Sequence, residues 1–168
     1  FRGSYKLLIE FCIIGSVVLW LYSLDQIHHA SALFLPFTNN VAISLGAAYV
    51  LFVMVVVVGS SNAVNLTDGI DGLVSGLGTI SFATYGIIAW NQQQYEVLIV
   101  CLAVMGGLVG FFPYNRKPAK IFMGDVGSLA LGGAIAGMAI TLRTELLLVA
   151  LGGLFVLIAL SVIIQVGY

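Results

Sequence analysis

Residues 50–73 read VLFVMVVVVGSSNAVNLTDGIDGL. From Val50 to Val58 no residue is polar, so this stretch needs an apolar solvent. Immediately after it come Asn62, Asn65, Thr67, Asp68 and Asp71, interleaved with Gly69 and Gly72. An apolar run that ends in a cluster of amides and carboxylates reads as a membrane span whose end carries chemistry. The rest of the chain agrees. Its 168 residues are 61% hydrophobic and only 8% charged, too few charges to cover a soluble domain of this size. The net charge is -1 and there is no basic stripe, so nucleic acid is not an expected partner.

Six stretches reach or approach the roughly 20 apolar residues that a span requires. They are 7–24, 41–59, 73–90, 97–112, 126–142 and 146–166. The fourth is short, and can borrow Tyr95 and Glu96 at one end and Pro113 and Tyr114 at the other. None alternates polar with apolar, so helices are expected rather than barrel strands. The expected fold is all-α: a polytopic membrane helix bundle with six transmembrane helices, forming a single domain over 1–168.

Six crossings put residues 1–6, 60–72 and 113–124 on one side, and 25–40, 91–96 and 143–145 on the other. The first side holds Arg2, Lys6, Arg116, Lys117 and Lys120, whereas the second holds only Arg143. The positive-inside rule makes the first side cytoplasmic. Trp20, Tyr22, Trp90 and Tyr95 fall at the opposite ends of their spans, as an interfacial belt would. The two polar loops, 65–72 and 115–128, are therefore expected to meet on the cytoplasmic face.

In the first loop, Thr67 or Asp68 is a reasonable N-cap for the span that follows. A helix starting there would bring Asp68 and Asp71 onto one face. Capping alone accounts for one Asp, but not for two beside Asn65 and a pair of glycines. In the second loop, Pro113 and Pro118 restrict the backbone, and Asp125 opens the next span, where the helix dipole favours a carboxylate or a phosphate. Arg116, Lys117 and Lys120 are accounted for by topology and lipid headgroups. Three carboxylates beside cations and amides suit Mg²⁺, which keeps waters and bridges to substrate phosphates. The expected chemistry is phosphoryl transfer, with a lipid phosphate as one substrate.

Other features carry less. Cys12 and Cys101 sit in apolar runs that cross in opposite directions, so no disulfide is expected between them. His28 and His29 are adjacent and lack a carboxylate or Cys partner motif, so the 25–40 segment reads as a solvated outer loop rather than a metal site. Gly106 with Gly110, and Gly133 with Gly137, have the spacing that lets helices approach closely in lipid. Residues 1–10 lack a signal-peptide pattern, and the chain reads as a segment of a longer one.

The motifs Asn-Ala-Val-Asn-Leu-Thr-Asp-Gly-Ile-Asp-Gly-Leu at 62–73 and Phe-Met-Gly-Asp-Val-Gly-Ser-Leu at 122–129, with Asn115, Pro118 and Ala119 before the second, resemble those of the polyprenyl-phosphate N-acetylhexosamine-1-phosphate transferases. The likeness runs through the whole chain. Asn65-Leu66-Thr67-Asp68-Gly69 is closer to the branch that transfers phospho-N-acetylmuramoyl-pentapeptide than to the N-acetylglucosamine-1-phosphate branch. The resemblance implies a bacterial inner-membrane enzyme that passes this phospho-sugar from UDP-N-acetylmuramoyl-pentapeptide to undecaprenyl phosphate. The products would be lipid I and UMP, Mg²⁺ would be required, and a homodimer is allowed. Carried over residue by residue, Asp125 is implied as the metal ligand, and Asp68 and Asp71 join it as catalytic carboxylates. Asn65 and Asn115 would contact substrate, and Phe122 would stack near uracil. Lys120 is given no role.

The family also carries an Asp-Asp pair followed by a Lys, a cluster of three His near its C-terminal end, and ten spans. This chain has neither motif, and it is expected to be the middle and later part of such a protein. Direct attack by the lipid phosphate and attack by an Asp both remain open. Three other readings are a sister transferase using UDP-N-acetylglucosamine, a transporter, and a non-catalytic membrane fragment that is inactive alone. The transporter reading predicts acids at mid-span, whereas Asp68, Asp71 and Asp125 lie at span ends.

Overall fold

A helix closes its backbone hydrogen bonds within one segment, which suits an apolar run in lipid. The computed structural model describes residues 3–23, 32–34 and 41–167, and the runs are helical there. Helix α1 covers Gly3–Ser23. Strands β1, Ala32–Phe34, and β2, Val41–Ser44, pair antiparallel. Helices α2 (Ala48–Thr67), α3 (Leu73–Asn91), α4 (Tyr95–Asn115) and α5 (Gly124–Thr141) follow. The chain then runs through α6 (Glu145–Leu151) and α7 (Gly153–Gly167).

Four helices, α2 to α5, are long and apolar enough to cross a membrane. The pair α6 and α7 adds a fifth if it counts as one span bent by 67°. The described residues thus hold four or five candidate spans rather than six, in a multi-pass helical membrane protein. The bend falls at Gly152 and Gly153, two adjacent residues of low helix propensity, where a single straight span over 146–166 was expected. The short fourth run does borrow residues at both ends, and α4 even carries Pro113 in its last turn.

The larger departure concerns the second span. It starts at Ala48 rather than Val41 and continues through Thr67 rather than stopping at Gly59. Residues 41–44 alternate in character and are rich in β-branched side chains, so they pair with Ala32–Phe34 instead of extending the helix. Part of the expected outer loop is therefore a strand. His28, His29 and Pro36 lie outside the described residues, as does Arg2.

Helix α2 is the hub. It packs against α5, with α1 and α7 on its other sides, while α3 packs against α4. Val64, Phe82, Tyr85, Leu108, Ile135 and Phe155 belong to one buried cluster joining these helices. Trp90 and Tyr95 meet edge-on at 6.0 Å, at the end of the bundle away from the polar motifs. Cys12 is exposed and Cys101 is buried, each as a free thiol.

Polar contacts reinforce the α2–α5 seam. The Ser60 hydroxyl donates to the Gly132 carbonyl at 2.8 Å, and Ser61 donates to the Leu129 carbonyl at 3.1 Å. The backbones come so close that a Cβ on Gly132 would sit 2.6 Å from the Cα of Ser61. The glycine spacings expected to serve this purpose serve it only in part. A Cβ on Gly133 would lie 3.3 Å from the Ser61 hydroxyl, whereas one on Gly106, Gly110 or Gly137 would meet nothing within 4 Å. The spacing rule identifies helices with smooth faces, but only the packing decides which glycine is used.

Gly132→Val is therefore expected to destabilise the protein by about 1–3 kcal/mol through overpacking, with a matching fall in Tm in detergent. Gly110→Val is expected to leave the Tm within about 1 °C of wild type, since it touches no described neighbour. Equal losses in the two variants would refute this account of the seam.

Candidate active site

Because α2 runs through Thr67, the motif at 62–67 is its last turns and not a loop. Asn62 and Asn65 project from a rigid helix at a spacing of three, so they share a face. Thr67 does not cap α3. It is fully buried, and its hydroxyl donates to the Ala63 carbonyl at 2.8 Å. Asp68 is the C-terminal cap residue of α2, and α3 begins only at Leu73. Asp68 and Asp71 therefore do not share a helix face but belong to the turn between α2 and α3.

Gly72 makes that turn possible. Its φ is 77°, a left-handed conformation that side chains disfavour, and a Cβ there would sit 3.1 Å from the Cα of Arg116. The 68–72 turn is thereby pressed against the start of the second loop. The two loops meet as expected. The Asp71 carboxylate accepts from the Ala119 backbone N–H at 3.0 Å. The backbone N–H of Gly124 lies near enough to Asp68 to favour its charged form. The Asn65 amide donates to the Asp125 carboxylate at 3.1 Å and to the Ser128 hydroxyl at 2.9 Å.

Asp125 does not cap α5. Met123 stands at the cap position without a side-chain cap bond, and Asp125 lies in the first turn with its side chain 78% exposed. Its carboxylate faces outward, held at one oxygen by Asn65. Lys6 of α1 completes the group: its ammonium donates to the Asn65 side-chain oxygen at 3.0 Å and lies 3.8 Å from the second Asp125 oxygen. One turn further along α1, Glu10 accepts a short hydrogen bond from the Asn62 amide, which also donates to the Val58 carbonyl at 2.9 Å.

Two expected residues stand apart. Asn115 is buried, and both ends of its amide are engaged inside the protein. Its oxygen accepts from Ser75 at 2.8 Å, and its nitrogen donates to the Ile121 carbonyl at 3.0 Å. Asn115 thus ties the second loop to α3. Phe122 is 70% exposed on the loop just before Asp125. Sequence reasoning missed Lys6, Glu10 and Ser128. Glu10 was visible as an ionisable residue inside the first expected span, and Lys6 as its i−4 neighbour, but nothing in the order of residues told which helix they would face.

Among the described residues, no three His, Cys, Asp or Glu side chains converge as a metal cluster. The available donors are the exposed Asp125 carboxylate and, nearby, Asp68. Burial raises the Asp68 carboxyl above the usual aspartate range, the Gly124 N–H opposes the rise, and the Asp125 charge adds to it. The folded protein therefore binds the Asp68 proton more tightly than the unfolded chain, so ionisation with rising pH costs stability. Asp68→Asn is expected to raise the Tm at neutral pH. The gain should shrink as the pH falls through the raised titration range and vanish below the ordinary aspartate range. A gain that grows toward low pH would contradict the assignment.

Comparison with known proteins gives this geometry a family. Residues 1–143 match the family model described as glycosyl transferase family 4. The chain is 56% identical over 154 residues to the phospho-N-acetylmuramoyl-pentapeptide-transferase of Enterococcus hirae, covering 92% of this chain and 47% of that protein. It is 64% identical over 125 residues to the protein of the same name from Enterococcus faecalis, covering 74% and 39%. Against that of Lactiplantibacillus plantarum it is 54% identical over 155 residues, covering 92% and 47%. The chain thus spans about half the length of the curated relatives it matches. With the family model matching most of its length, the chain belongs to glycosyl transferase family 4.

Proposed function

We propose that this chain forms part of an enzyme that transfers phospho-N-acetylmuramoyl-pentapeptide from its UDP-activated form to undecaprenyl phosphate, giving lipid I and UMP. The observation that carries the proposal is the bonding of Asn65, on the end of α2, to the outward-facing Asp125, with Asp71 bound to the loop before it and Asp68 close enough to feel its charge. The names of the relatives supply the substrate. The excess of Lys and Arg at this end supports a cytoplasmic active face in the bacterial plasma membrane.

The residues fit a Mg²⁺ ion of the kind held by one or two carboxylates together with substrate phosphates. Asp125 offers an exposed oxygen, and Asp68 is a second carboxylate close enough for the two charges to repel. When bound, Mg²⁺ would neutralise charge on the diphosphate. The chain's own residues do the rest. Asn65 orients Asp125, and Lys6 brings a positive charge to the place where phosphate oxygens would lie. Phe122, exposed beside Asp125, offers a flat face to a nucleobase. All three acids lie at helix ends rather than at mid-span, which favours surface chemistry over an ion path.

The test uses the full-length protein in membranes, supplied with undecaprenyl phosphate and each radiolabelled UDP-sugar in turn. The muramoyl-pentapeptide sugar is expected to give labelled lipid and UMP, and only with Mg²⁺ present. Asp125→Asn and Asp68→Asn are each expected to lower the rate by about a hundredfold or more. Near-normal rates in both variants would remove these residues from the site. Labelling from UDP-N-acetylglucosamine alone would assign the protein to the sister reaction.

A further inference from the structure

Helix α1 touches the candidate site at two points. Lys6 reaches Asn65 and Asp125, and Glu10, on the same face one turn away, holds Asn62. The matching pair on α2, Asn62 and Asn65, is also one turn apart. At this end the α1–α2 seam is therefore a two-point clamp, with a charge on α1 opposing an amide on α2 at each point.

The two points differ in their surroundings. Lys6 faces the exposed Asp125, whereas Glu10 is half-buried beside the apolar body of the bundle, and its second oxygen is buried without a hydrogen-bond partner among the described residues. An ionisable group carrying an unpaired buried oxygen is costly to keep. The Asn62 contact is what Glu10 provides in return. We propose that Glu10 is a positioning residue: by holding Asn62, it fixes the register of α1 on α2 and so sets the Lys6 ammonium against Asn65 and Asp125. This rests on the functional reading above in treating the Asp125 face as the active one.

Lys6 is a long, flexible side chain whose reach depends on where its backbone sits. Farther along, Ile14 and Val18 of α1 pack with Tyr49 and Val53 of α2, but these apolar contacts lie two turns or more from Lys6, and one lysine hydrogen bond leaves this end of α1 free to shift. A second bond one turn away does not. The function of Glu10 is thus as a hydrogen-bond acceptor, and an amide oxygen at the same place can replace the carboxylate.

The test uses the full-length protein in membranes and has two arms. One measures acylation of the Lys6 amine by a small anhydride, followed by mass spectrometry, with the exposed Lys117 and Lys120 as internal references. The other measures UMP release. Glu10→Ala is expected to speed Lys6 labelling and to lower kcat by about tenfold, the factor expected for one lost charge-assisted hydrogen bond. Glu10→Gln is expected to return both to within about twofold of wild type. Asn62→Ala, which breaks the same bond from the other side, should mimic Glu10→Ala in the labelling arm even if Glu10→Ala folds poorly. In a Lys6→Ala background, Glu10→Ala should cost no further activity, because a residue acting through Lys6 has nothing left to position.

The proposal is overturned if Lys6 labelling in Glu10→Ala and Asn62→Ala equals wild type. It is also overturned if Glu10→Gln is as damaged as Glu10→Ala, or if the Glu10 and Lys6 losses multiply. A wild-type protein without transferase activity would remove the functional reading alone, and the labelling arm would still decide on Glu10.

Discussion

The structure depends on how α2 meets α5. In lipid, apolar side chains gain little by leaving the solvent, so helices associate through close packing and through hydrogen bonds between them. The α2–α5 contact uses both. Gly132 removes the side chain that would hold the backbones apart, and Ser60 and Ser61 bond to the carbonyls thereby brought within reach. One turn further, the same face of α2 presents Asn65 to Ser128 and Asp125. Packing and chemistry thus belong to a single seam. Each of its bonds is worth only about a kilocalorie per mole or less in a membrane, but together they fix the rotation of α2 relative to α5, and that rotation sets where Asp125 points.

Around this seam the other elements act as supports. Helices α3 and α4 pair with each other, and Asn115, bonded to Ser75 and to the Ile121 carbonyl, anchors the second loop to them. The left-handed Gly72 tucks the first turn under that loop. Both loops are therefore held from beneath, and the carboxylates are displayed on a braced surface rather than on free chain. A surface held this way has little conformational freedom left to lose when it engages a ligand.

Much of this was legible in the residues. The spans that became α3, α4 and α5 were placed within a few residues, because long apolar runs with polar ends leave little choice in lipid. The meeting of the two loops followed from parity of crossing and from charge bias. The second span was misplaced because hydropathy does not distinguish Val41–Ser44 in a strand from the same residues in a helix. The partner strand, Ala32–Phe34, is what decides, and pairing is a tertiary fact. The same limit hid Lys6 and Glu10. Their spacing was plain, but the helix they face was not. Asn115 shows the reverse case, a polar residue beside the motif whose hydrogen bonds turn inward.

The continuity of α2 from Ala48 to Thr67 has a further consequence. Its contacts with α5 and its polar tip lie on one uninterrupted screw. A residue inserted between Ser61 and Asn65 would turn the tip by about 100° relative to the seam, since a helix makes one turn in 3.6 residues. Asn65 would then leave Asp125 even though every side chain was retained. The segment between α4 and α5 keeps no helical phase; it is held instead at single points, by Asp71 at Ala119 and by Asn115 at Ile121. In this architecture the tolerance for gained or lost residues is set by angular bookkeeping along α2, whereas the tolerance for substitution is set residue by residue.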